Sequence, residues 1–134
     1  MKRILLSLAL IAAAGTASAD DHAMGVEAMD QSVANGIVSA AKVTAENNGW
    51  LVVHRTDGSK PGPVVGYAPI RAGETTDVAA ILSEPVASGD KLMLMVHGED
   101  GGMKTGGFEY SLGAKEDGPV KVDGKLVMTV ITAQ

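Results

Sequence analysis

From Ile37 onward the apolar residues come in short runs, most of them alternating with polar ones, and each run stops at glycine, proline, asparagine or aspartate. A period of two places successive side chains on opposite faces of an extended chain, so these runs predict strands. They cover Ile37–Thr44, Trp50–His54, Val64–Tyr67, Thr75–Leu82, Leu92–His97, Phe108–Tyr110, Pro119–Val122 and Lys125–Thr132. Turn chemistry separates them at Asn47-Asn48-Gly49, Pro61-Gly62-Pro63, Ala72-Gly73 and Gly89-Asp90. Asp123-Gly124 is a two-residue hairpin signal. One helical spacing, Ala28, Met29 and Val33 within Glu27–Val33, is weaker than the strand signals around it. Seven or eight short strands with turns between them predict an all-β domain, a single antiparallel β-sandwich of immunoglobulin-like or cupredoxin-like outline.

Two of these runs are nearly the same. Leu51-Val52-Val53-His54-Arg55-Thr56-Asp57-Gly58 and Leu94-Met95-Val96-His97-Gly98-Glu99-Asp100-Gly101 share the pattern Leu-x-Val-His-x-x-Asp-Gly. In the second copy Met93, Met95 and His97 fall on one face and Leu92, Leu94 and Val96 on the other. Met, Met and His are donors that suit Cu(I). Two flexible thioethers on a strand with apolar alternation are more simply read as core filling, with His97 closing the strand. The two histidines and their aspartates would make a zinc or copper site if they met. With two strands between the copies, the copies run antiparallel, and their C-terminal histidines are expected at opposite ends of the sandwich. Each His-x-x-Asp-Gly is then a strand end and a turn.

The start of the chain reads as a targeting signal. Lys2 and Arg3 precede an apolar run, Ile4–Ala14, that is too short to span a membrane, and Ala17-Ser18-Ala19 is a small-x-small cleavage pattern. Residues 1–19 are therefore expected to be removed after Ala19, leaving residues 20–31 as a flexible mature N-terminal segment and 32–134 as the β-sandwich domain. Its destination would be the periplasm or the exterior. Removing Lys2 and Arg3 from eleven basic residues leaves nine against sixteen acidic ones, a net charge of −7. That balance, without a basic stripe, argues against nucleic acid as a partner, and no later apolar run is long enough for a membrane helix. The partner expected is an unknown protein or small ligand. With no cysteine there is no disulfide framework, thiolate ligand or cysteine nucleophile. Aromatic residues are only 3% of the chain, so Val, Leu, Ile, Ala and Met must build the core.

Cleavage after Ala19 would begin the chain with Asp20-Asp21-His22. A free amine, two deprotonated amides and a third-position imidazole can wrap Cu(II) or Ni(II) in a square plane, and Met24 and Met29 could serve Cu(I). The candidate metal residues are therefore Asp20, Asp21, His22 and Met24. The five glycines of Gly98–Gly107, with Glu99, Asp100, Glu109, Glu116 and Asp117 nearby, have the ingredients of a calcium loop but not its regular spacing. A mobile, solvated acidic loop is the expectation there. No serine lies in a Gly-x-Ser-x-Gly elbow, and no phosphate or dinucleotide loop follows a strand. No catalytic residue is assigned and no cofactor is required beyond copper or nickel at the N-terminus.

The succession Leu51-Val52-Val53-His54, Gly58, Pro61-Gly62, Val65-Gly66, Ala72-Gly73, Glu84-Pro85, Leu94-Met95-Val96-His97 and Asp117-Gly118-Pro119-Val120 resembles an uncharacterised family of exported β-sandwich domains. The family, a domain of unknown function, is found in bacteria and haloarchaea, and the resemblance spans about Gln31–Ala133. Its members carry a compact loop after the second histidine where this chain has the longer Gly98–Gly118 segment. The resemblance implies the fold and export, and no catalytic residues. Three functional readings follow. The first is a non-catalytic binding or interaction domain, the second a periplasmic copper- or nickel-binding protein, and the third a hydrolase with a site in the Gly98–Gly118 loop.

Overall fold

The computed structural model describes residues 23–134, so residues 1–19, expected to be a targeting signal, and the Asp20-Asp21-His22 triplet lie outside the described residues. Nine strands and no helix are present among them: β1 (Gly25–Glu27), β2 (Ile37–Ala45), β3 (Gly49–Thr56), β4 (Pro61–Ile70), β5 (Gly73–Leu82), β6 (Lys91–Gly98), β7 (Lys121–Val122), β8 (Lys125–Leu126) and β9 (Met128–Thr132). Seven form one antiparallel sheet in the order β1-β2-β5-β4-β3-β6-β9, and β7 and β8 form a separate hairpin. The sheet is curled until its edges nearly meet. Gln31 bridges Ala133, the Gln134 amide donates to the Gln31 carbonyl at 2.9 Å, and the Thr132 amide donates to the Asp30 carboxylate at 2.8 Å. The expected sandwich is thus a single sheet, nearly a barrel, which leaves little open edge.

Alternation placed the strands and their inner faces. Val38, Ala40, Leu51, Val53, Val65, Ala80, Leu92 and Leu94 are fully enclosed inside the barrel, each valine and leucine side chain contributing about 1.5–3 kcal/mol by burial. Three local expectations change. Residues 20–31 were expected to be flexible, yet β1 lies within them, its register Gly25↔Thr44 to Glu27↔Lys42 fixed by Val26 entering the core. No helix forms over Glu27–Val33. Phe108–Tyr110 is not a strand but part of a long segment laid over the sheet. Asp123 and Gly124 make the expected tight turn, both at positive φ (51° and 77°), as the type I′ hairpin geometry requires.

β3 and β6, the two copies of the repeat, pair directly along their whole length, from Gly49↔Gly98 to Thr56↔Lys91. Leu51 faces Val96 and Val53 faces Leu94, so the copies are related by a local twofold through the Val52↔Met95 pair. One face of this ribbon is the barrel core. Its other face carries Trp50, Val52, His54, Met93, Met95 and His97, and these are buried too. A sheet face on the outside of a barrel would ordinarily be wet. Here the segment between β6 and β7 covers it.

Candidate functional site

The local twofold puts His54 and His97 two residues to either side of the Val52↔Met95 pair, on the same face of adjacent strands. Each ring leans inward over that pair. Their Nε2 atoms are 3.1 Å apart, and both residues are wholly buried. The expectation that they lie at opposite ends is overturned. The strands are antiparallel as expected, but they are neighbours, and a four-residue offset is within reach of two side chains pointing toward each other. The ring centroids are 5.2 Å apart against 3.1 Å for the nitrogens. The difference is what two ring radii add, so the rings meet edge to edge with their nitrogens head-on.

The outer nitrogens are also fixed. His54 Nδ1–H donates to the Gly62 carbonyl at 2.7 Å, and His97 Nδ1–H donates to the Asp117 carbonyl at 2.6 Å. Burial pushes both imidazoles below their ordinary range, against the carbonyl bonds that favour the charged form. His97 goes to about 4, helped by the charge of His54. The aspartates of the repeat take no part. Asp57 is exposed and accepts from the Ser59 amide and hydroxyl in a turn, while the Asp100 backbone bonds Asp117.

Every Trp, Tyr and Phe of the chain gathers around this pair. Tyr110 lies edge-on to His97 with centroids 4.6 Å apart. Phe108 lies 4.4 Å from Tyr67 and 5.5 Å from Trp50. Phe108 and Tyr110 come from the Gly98–Gly118 segment, which is therefore the roof of a second, aromatic core. Its acidic side chains hold the segment closed. Glu99 accepts from Trp50 Nε1 at 2.8 Å and from the Gly106 amide. Glu109 accepts from the Met103 and Lys104 amides. Asp117, 1% exposed, accepts from the Asp100 and Glu109 amides at 3.1 and 2.8 Å. The expected mobile acidic loop is instead a folded cover, because carboxylates close to free backbone N–H groups satisfy them.

Beside the roof runs a groove of about 500 Å³ lined by Val64, Tyr67, Ile81, Leu82, Phe108 and Tyr110. Tyr67 and Ile81 are cross-strand partners on β4 and β5, 48% and 76% exposed. β4 and β5 pair at two positions only, Gly66↔Leu82 and Tyr67↔Ile81. Of the candidate metal residues Asp20, Asp21, His22 and Met24, only Met24 is among the described residues, and it packs partly buried against the barrel core, while Met29 is exposed. Asp20, Asp21 and His22 lie outside them. Met93 and Met95 are core residues of the covered face, as the alternation implied. Among the described residues no three His, Asp or Glu side chains converge as a metal site, and no helix is long and apolar enough to cross a membrane.

The aromatic roof was not foreseen. Its one signal was the repeat itself, since two matching strands paired about a twofold must bring their histidines to the same face. No curated protein and no solved structure matches the chain. Residues 24–134 do match a family, described as a domain of unknown function (DUF7282), so that the same stretch that builds the barrel, the histidine pair and its roof places this chain in that family.

Proposed function

We propose that this is an exported, non-catalytic binding domain that takes an apolar or aromatic group of its partner in the groove beside the roof. The observation that carries this reading is the gathering of all the chain's aromatic side chains at one site, with Tyr67 left half-exposed at its edge next to Ile81. An apolar edge beside a concave aromatic wall is the usual make-up of a recognition surface. The non-catalytic part rests on the imidazoles. His54 and His97 are sealed from solvent, with all four ring nitrogens in contact with protein atoms, so neither reaches a substrate. Export rests on the leader pattern of residues 1–19.

The test is an NMR screen of a library of small aromatic fragments against the chain beginning at Asp20. Hits should shift the amides of Tyr67, Ile81 and Tyr110 and should be lost in Ile81→Glu. That variant changes an exposed side chain and should leave the unfolding midpoint unchanged. Fragments that bind elsewhere, or bind Ile81→Glu equally well, would overturn the assignment. Export is read separately, by the mass of the product recovered from the cell exterior or periplasm, which should start at Asp20.

A further inference from the structure

Two imidazoles and three contacts do not balance without an extra proton. A carbonyl oxygen only accepts, so each Nδ1 must carry a hydrogen toward Gly62 and Asp117. The Nε2···Nε2 contact also needs one hydrogen between two lone pairs. Three contacts therefore need three ring protons, whereas two neutral rings bring two. In the neutral state either two lone pairs face each other at 3.1 Å, or one Nδ1 faces a carbonyl oxygen without a proton. Both are buried contacts of the kind folded proteins avoid.

A metal ion does not fit the same gap. Two nitrogen–metal bonds of about 2.0–2.1 Å set head-on need roughly 4 Å between the nitrogens. A proton does fit, as an N–H···N hydrogen bond. We infer that His54 and His97 form a buried proton-binding site, a shared imidazole–imidazolium pair holding three ring protons, whether or not the groove binds a ligand.

The surroundings supply one candidate counter-charge. On the pair's side β3 presents Trp50 and Val52, β6 Met93 and Met95, β4 Val64 and Tyr67, and β9 Met128 and Val130. The roof brings Tyr110 over His97, Glu99 onto Trp50 Nε1, Glu109 through its backbone, and Asp117. Asp117 is the buried one, its carbonyl on His97 and its carboxylate tied to two roof amides. The proton on the pair and the closure of the roof are thus joined through one residue. The sign follows from the protons bound. Burial lowers each imidazole taken singly, and the bond shared between the two Nε2 atoms opposes it by giving the extra proton an acceptor inside the fold. A folded pair that keeps a proton which two unfolded histidines release makes stability fall as pH rises above the ordinary histidine range.

Two measurements on the folded protein test this. Long-range proton–nitrogen correlation spectra at pH 7.5, with His22 assigned by His22→Gln, should show three ring protons on His54 and His97, one of them shared between the Nε2 atoms. Two ring protons would overturn the inference, as would metal in stoichiometric amount with both Nε2 signals shifted by it. Between pH 7 and 8.5 the unfolding constant should rise up to tenfold per pH unit. A flat profile there, with stability lost only on acidification below about pH 6.5 as two neutral buried rings would dictate, overturns it equally.

Discussion

Asp117→Asn isolates what holds the roof down. Asp117 sits at φ 48°, a left-handed conformation that asparagine tolerates as well as aspartate, so the backbone is not perturbed. Its carbonyl bond to His97 is kept. What changes is the carboxylate, which accepts the Asp100 amide at 3.1 Å and the Glu109 amide at 2.8 Å with 1% of the residue exposed. An amide offers one acceptor, and its NH₂ would face the other N–H. Losing a charge-assisted hydrogen bond costs about 1.5–3 kcal/mol, and an unpartnered buried donor adds to it. The expected loss is about 2–4 kcal/mol, a large part of the roughly 5–15 kcal/mol that holds a domain folded. In urea that moves the midpoint by about 1–2 M at the slope usual for small domains. The assay is urea unfolding read by Trp50, the only tryptophan and itself under the roof, beside hydrogen exchange at the Asp100 and Glu109 amides. If the roof opens without the barrel, exchange at those amides rises and the midpoint stays. An unchanged midpoint with both amides still protected would refute the view that this carboxylate pins the roof.

Two further outcomes follow. Gly49→Ala should destabilise by about 1–3 kcal/mol, because its Cβ would strike the His97 carbonyl oxygen across the β3–β6 pair, where neither backbone can yield alone; an unchanged thermal midpoint would show that the ribbon is looser than its register implies. The chain beginning at Asp20 should, on the metal-binding reading, give a four-nitrogen d–d band with one equivalent of Cu(II) and lose it when residues 20–22 are deleted. A featureless titration removes that reading.

How much of the fold was legible can be judged from particular residues. The alternation of Leu92 to Val96 sorted the strand into two faces correctly, and Asp123-Gly124 marked its hairpin, because both signals are local. Residues 20–31 read as loose because Val26 alone gives no period, and β1 exists only because β2 offers an edge and the core a place for that side chain. Glu99, Glu109 and Asp117 read as solvated charges, since the backbone amides they accept from are not visible in composition.

The repeated Leu-x-Val-His pattern by itself determined that two strands would each present a histidine on the face opposite their leucines. Whether those histidines would meet depended on which strands became neighbours and in what register, and both are long-range choices made by the closing sheet. The tertiary structure set the copies side by side about the Val52↔Met95 pair and folded the Gly98–Gly118 segment over them. The physical reason is that alternation dictates the direction of a side chain, while its partner and its exposure are set by what packs above it.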